Sequence, residues 1–151
     1  MQAGISESAL PVAYLKLLHA FCYYLYMPRI LILDDDKDLL TVVKSLLRKK
    51  GFDVFAYSEW RMAWDAVMTY NPQLILLDVF LPGTDGLDVC KKLKSSSFTR
   101  HIPIIMFSSY PNIAETAINE FGADDFIAKP FETNEIVRKI HHILSKKHAS
   151  A

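Results

Sequence analysis

From Arg29 onward the chain alternates short, continuously apolar runs with longer stretches whose apolar residues recur every three to four positions. The run Arg29-Ile30-Leu31-Ile32-Leu33 ends in acids, the pattern of a strand buried on both faces that opens to solvent at its carboxyl end. Leu39, Leu40, Val42, Val43, Leu46 and Leu47 then share a helical stripe that stops at Gly51, a suitable residue just past a helix end. Phe52 to Tyr57 reads as a second strand, with Ser58 capping a helix that carries Trp60, Ala63, Trp64 and Val67 and ends near Pro72. Leu74 to Leu77 is a third strand, ending in Asp78. The turn-rich Leu81 to Gly86 leads into a helix with Leu87, Cys90 and Leu93. Pro103 to Phe107 is a fourth strand and Ile113 to Phe121 a further helix. Asp125 to Ala128 is a fifth strand, and Ile136, Val137, Ile140, Ile143 and Leu144 stripe a last helix.

Strands alternating with helices in this way predict an α/β fold, an open doubly wound parallel sheet with helices on both faces. Ligands of such sheets bind beyond the carboxyl ends of the strands. The chemistry is therefore expected where the apolar runs stop, at Asp34 and Asp35, Asp78, Ser108 and Lys129. If the first and third strands are neighbours, three carboxylates share one crevice, and like charges at short range recruit a cation or raise one another's pKa. Oxygen donors without nearby cysteine or histidine suit a hard ion such as Mg2+ better than zinc or copper. With the cluster neutralised, Asp78 can attack phosphorus to form an acyl phosphate, Lys129 can balance the phosphoryl oxygens, and the Ser108 hydroxyl can donate to one of them.

Composition narrows the setting. Half the residues are apolar, and acidic and basic residues number 17 each, so no basic surplus points to nucleic acid or an anionic membrane as partner. Cys22 and Cys90 are too few for a disulfide framework, which predicts a reduced, cytoplasmic protein. At 151 residues the chain suits one domain, with no room for a separate output module.

The blocks Ile30 to Asp36, Leu77 to Gly86, Ile104 to Ser109 and Gly122 to Phe131 occur in order and with fitting spacing. Together they resemble the signature segments of response regulator receiver domains of two-component signalling, of the chemotaxis-regulator type, over about Pro28 to Leu144. The resemblance implies a flavodoxin-like strand order 2-1-3-4-5 and Asp78 as phosphoacceptor. It implies Mg2+ held by Asp35, Asp78 and the Phe80 backbone carbonyl, with Asp34 acting through a water. Ser108 and Phe126 would be a coupled switch pair, Lys129 the phosphate-binding lysine, often followed by a cis proline bond, and Phe80 and Tyr110 positions that tune the phosphoryl lifetime. A sensor histidine kinase or histidine phosphotransfer protein would be the donor. The whole would be a switch rather than an enzyme, self-dephosphorylating slowly at most, and acting as a stand-alone regulator through a downstream protein. Serine stands where the family often has threonine, and Phe126 where tyrosine is common, so a phenol hydrogen bond is lost and any readout depends on ring shape. Bulky Phe80 is expected to hinder water and lengthen the phosphoryl lifetime.

Simpler roles account for other residues. Asp36 or Asp38 can cap the first helix, Asp85 and Asp88 are loop and first-turn acids, Trp60 and Trp64 pack one turn apart, and Lys146, Lys147 and His148 fray from the last helix. The domain is expected over residues 28–146, with a tail from 147 to 151. In residues 1–27, Leu10, Tyr14, Leu17, Leu18, Phe21 and Leu25 fall at helical spacing; this extension either docks on the domain or on a second copy as a homodimer, or precedes a natural start at Met27. With Lys16 and His19 inside it, it makes a poor membrane span. Two other functions fit the fold class. In a magnesium-dependent phosphatase Asp34 would be nucleophile and Asp36 the acid; a flavodoxin-like nucleotide binder would need a phosphate loop where this chain has three acids.

Overall fold

The computed structural model describes residues 11–25 and 27–149. Its elements run α1 (Val12–Leu25), β1 (Arg29–Leu33), α2 (Lys37–Lys49), β2 (Asp53–Tyr57), α3 (Trp60–Tyr70), β3 (Leu74–Asp78), a short ribbon of β4 (Phe80–Leu81) and β5 (Thr84–Asp85), α4 (Gly86–Ser95), β6 (Ile104–Ser108), a 3-10 turn at Pro111–Ile113, α5 (Ala114–Asn119), β7 (Asp125–Ala128) and α6 (Thr133–Ala149). The main sheet is parallel throughout in the order β2-β1-β3-β6-β7. With the ribbon set apart, this is the order 2-1-3-4-5.

The strands are nearly continuous apolar runs because both faces are covered, and alternate side chains supply two separate cores. Leu31, Leu33, Ile75, Leu77, Ile104 and Met106 pack against Ala63 and Val67 of α3, Cys90 and Leu93 of α4 and Ala117 of α5. Ile30, Ile32, Leu74, Leu76, Ile105 and Phe107 pack against Leu40, Val43 and Leu47 of α2 and Ile136, Ile140 and Leu144 of α6. Register places the strand ends side by side: Leu33 lies opposite Leu77, and Asp78 opposite Phe107.

Several boundaries differ from the sequence reading, each for a local reason. Phe52 belongs to the exit of α2, its N–H donating to Leu47 O at 3.1 Å, so β2 begins one residue later. Pro103 has no N–H to donate, and β6 begins at Ile104, although the Pro103 carbonyl accepts Ile75 N–H at 2.9 Å. Ser58 does not cap α3; that place falls to Glu59, whose side chain makes no capping bond, and the helix ends at Asn71 with φ 50°. The expected helix over 113–121 is a 3-10 turn followed by a shorter α5, closed by Ala123 N–H donating to Ala117 O. The segment read as plain turn is the ribbon, folded at Pro82-Gly83 with Gly83 at φ 72°, where a side chain would be strained. Helix α6 takes in residues 147–149, read from sequence as fraying tail.

Helix α1 carries Val12 and Leu17 about 70% exposed, and none of its described side chains joins either core. The side chains of Phe21, Leu25, Lys147 and His148, and residues 1–10, lie outside the described residues. Among the described residues no helix is long and apolar enough to cross a membrane.

Asp36 caps α2 as one reading had it, its carboxylate accepting the N–H groups of Asp38 and Leu39 at 3.0 Å each. Asp36→Ala is therefore expected to lower stability by about 1 kcal/mol, read from urea unfolding midpoints.

Candidate functional site

The carboxyl ends of β1 and β3 and the residue just beyond β7 bring together Asp34, Asp35, Asp78 and Lys129, and Ser108 ends β6 on the same edge of the sheet. Strand alternation sets who faces whom. Asp34 and Asp78 continue the faces of Ile32 and Leu76, so both project to the α2/α6 side of the sheet. Oxygens of Asp34, Asp35 and Asp78 all lie within 4.8 Å of one another. Asp34 and Asp78 are buried, whereas Asp35 is exposed. Lys129 reaches in just beyond β7, its Nζ donating to Asp34 Oδ2 at 2.6 Å and Asp78 Oδ1 at 3.0 Å. The remaining oxygens are also used: Asp34 Oδ1 accepts Asp36 N–H at 2.8 Å and Asp78 Oδ2 accepts Phe80 N–H at 3.2 Å. The Lys129-Pro130 bond is cis.

Burial governs the electrostatics. It pushes Asp78 up to about 6, helped by the Asp34 charge and opposed by Lys129 and the Phe80 N–H. Asp34 is raised as well, chiefly by burial and against Lys129. Burial draws the Lys129 ammonium down, and its hydrogen bonds to Asp34 and Asp78 more than reverse that. Three carboxyl groups share one ammonium, so their full ionisation leaves negative charge in excess. The all-oxygen donor set and that surplus fit a divalent hard cation.

Ser108 is fully buried, and its Oγ accepts Tyr110 N–H at 3.1 Å, leaving the hydroxyl proton to donate elsewhere. Phe80 and Tyr110 stand more than half exposed, and their rings meet with centroids 5.1 Å apart. Phe126 is not part of the charged cluster. Its ring is buried in the core on the α3–α5 side, opposite Met106. Trp60 and Trp64 pack edge-on at 5.4 Å against that same core, in keeping with a packing role.

Two contributors carried no chemical signal in the sequence. A Cβ on Gly86 would lie 2.0 Å from Asp78 O, so only glycine lets the start of α4 close against the strand that carries Asp78. Phe107 lies under Lys129, with Nζ 4.7 Å from its ring centroid. A cleft of about 560 Å³, lined by Lys37, Glu59, Arg61 and Thr84 among others, adjoins the cluster at Asp35.

A doubly wound parallel sheet with an acidic cluster and a lysine at its carboxyl end is the class that fold and site define. A sequence model of the response regulator receiver domain matches residues 30–141. The chain therefore belongs to the family of response regulator receiver domains, the phosphorylation-dependent switches of two-component systems. The DNA-binding response regulator MtrA of Mycobacterium leprae is 38% identical over 113 residues, 74% of this chain and 49% of its own length. The chain spans about half the length of the curated relatives it matches. Among solved structures, the receiver domain of NtrX from Brucella abortus is similar with TM-score 0.70 and 31% identity, covering 77% of this chain and 98% of that one. The signal receiver domain of a signal transduction histidine kinase from Syntrophus aciditrophicus is similar with TM-score 0.71 and 30% identity, covering 79% and 91%.

The raised Asp78 has a thermodynamic consequence. Its folded-state pKa of about 6 lies above its ordinary 3.8, so the folded state holds the proton more tightly. The stability this contributes is complete below about pH 4 and is lost as pH rises through about 6. In metal-free solution Asp78→Asn is expected to melt a few degrees above the parent at pH 7, with the gap shrinking toward pH 4, as differential scanning calorimetry would show.

Proposed function

We propose that this receiver domain accepts a phosphoryl group on Asp78 from a sensor histidine kinase or a histidine phosphotransfer protein. The loaded domain then signals to a downstream partner. The observation that carries the reading is the bridging of Asp34 and Asp78 by Lys129 at the mouth of the sheet.

In the transfer, an Asp78 carboxylate oxygen bonds to phosphorus as the donor's phosphorus–nitrogen or phosphorus–oxygen bond breaks. The bonding pair leaves with the imidazole or, for acetyl phosphate, with acetate. Lys129 neutralises the phosphoryl oxygens once they replace its present carboxylate partner, and Ser108 donates its hydroxyl proton to one of them. Asp35, Asp78 and the Phe80 carbonyl would hold Mg2+, with Asp34 acting through water. When bound, the ion supplies the positive charge that lets an anionic nucleophile approach an anionic phosphoryl group. Ser108 and Phe126 would form the switch pair: both lie on the α3–α5 side of the sheet, so a pull on the hydroxyl is felt where the ring is packed.

The phosphatase alternative is less well supported. The Asp36 carboxylate, which would have to serve as the acid in that mechanism, is engaged as the α2 cap, accepting the N–H groups of Asp38 and Leu39. The acids after β1 likewise disfavour a nucleotide phosphate there. The DNA binding in MtrA's name belongs to proteins about twice the matched length, and with 17 acidic and 17 basic residues this chain offers no charge argument for binding DNA itself. The free, buried Cys90 accords with a reducing cytoplasm.

Incubated with acetyl phosphate and Mg2+, the parent is expected to gain one phosphoryl group by intact-mass analysis and Asp78→Asn none. Lys129→Met should slow labelling by about a hundredfold, the scale of losing one charge-stabilising donor. An adduct on Asp78→Asn that vanishes in Asp34→Asn would return the phosphatase reading. For the exposed Phe80 and Tyr110 pair, Phe80→Asn is expected to shorten the phosphoryl lifetime; equal decay of parent and variant would rule out a water-excluding role.

A further inference from the structure

We infer that Phe107 is a positioning residue for the phosphoryl transfer proposed above, holding the Lys129 ammonium in place through the face of its ring. The inference rests on that reading of the site and concerns a side chain that contacts neither the donor nor the acceptor oxygen.

Lys129 has three N–H donors on a flexible four-carbon stem, and an ammonium on such a stem is located only by what surrounds it. Two of its contacts are Asp34 and Asp78. The third is aromatic: Nζ lies 4.7 Å from the Phe107 centroid, within the range at which a cation is attracted by the ring quadrupole. Register explains why the ring is there. Phe107 is the β6 residue opposite Asp78, and Val79 N–H donates to Phe107 O at 3.2 Å. Parallel neighbours in register share a face, so the ring and both buried carboxylates lie on the same side of the sheet.

The ring is itself fixed. Phe107 is 2% exposed and meets Phe131 in a T-shaped contact, with centroids 6.2 Å apart and planes at 86°. Phe131 follows Lys129 by two residues. A closed chain of contacts thus runs from the backbone beside Asp78, through the Phe107 ring, to the segment that carries the lysine. When Asp78 is loaded, the ammonium must turn from carboxylate to phosphoryl oxygen. The ring face is a contact that loading leaves chemically unaltered, and with Asp34 it keeps Nζ over the acceptor while the Asp78 oxygen is exchanged for a phosphoryl oxygen.

The test replaces Phe107 with mono-, di- and trifluorophenylalanine in the full chain, which keeps the ring's shape while draining negative potential from its face. The rate of Asp78 labelling by acetyl phosphate is expected to fall stepwise, by about fivefold across the series, with melting temperature held within a degree or two. The Lys129 ε-methylene proton resonances should lie upfield through the ring current in the parent and return to ordinary positions in Phe107→Leu. A labelled parent with a flat fluorination series overturns this inference alone, as does an unshifted ε-methylene. A parent that takes no label while Lys129 shows the ring-current shift overturns the phosphoryl-transfer reading, and the positioning role with it, but leaves the contact established.

Discussion

The constraint on which the structure turns is the burial of two carboxylates on adjacent strands. Asp34 and Asp78 are withdrawn from water on the same face of a parallel sheet, and an unpaired buried anion is costly enough that such groups must be partnered or protonated. Lys129, arriving from the far edge strand, partners both at once. The compensation is incomplete, which is why Asp78 remains raised and why the site is suited to a further cation. A site fully satisfied by its own residues would have no affinity to spare. Much of the local architecture serves this placement. The register of β1 on β3 aligns the acids, the Phe80 N–H secures one oxygen, and Gly86 lets the next helix begin against the Asp78 carbonyl without a clash.

The parts of this arrangement that were legible in the sequence are those governed by short-range rules. A strand covered on both faces must be apolar, and it must stop where the chain meets solvent; the acids after Leu33 and Leu77, Ser108 after Phe107 and Lys129 after Ala128 mark those stops directly. The capping of α2 by Asp36 is equally local. What was not legible depends on chain segments distant in sequence. Glu59 rather than Ser58 begins α3, and without a capping bond, so propensity at that position is outweighed by where β2 delivers the chain. The β4–β5 ribbon forms because Pro82-Gly83 folds two-residue arms against each other, too short to leave a periodic pattern. The need for glycine at position 86 arises from a carbonyl eight residues earlier. Phe107 read as one more apolar strand residue, because its contact with Lys129 exists only once β6 and β7 are paired.

Aromatic side chains occupy three distinct relations to the site. Phe80 and Tyr110 stand outside it, exposed and touching each other across its mouth. Phe107 lies beneath it. Phe126 sits away from it in the core on the opposite side of the sheet. Neither Phe80 nor Phe126 has a hydroxyl, so under the proposed function any readout at those positions would depend on volume and orientation rather than on a hydrogen bond. Tyr110 keeps its phenol, but carries it in solvent-facing surroundings.

The separation of the interior into two cores, divided by the sheet, has a consequence for how such a protein can diverge. The ring that steadies Lys129 packs with α2 and α6, whereas Phe126 packs with α3, α4 and α5. On the proposed reading, substitutions accumulating in the first compartment would retune the speed and persistence of the chemical signal without repacking the second. Those in the second can remodel the outward surface for a new recipient without moving the lysine. Under the proposed function, timing and address would lie on opposite sides of one sheet, and a duplicated gene would be free to change either while inheriting the other intact.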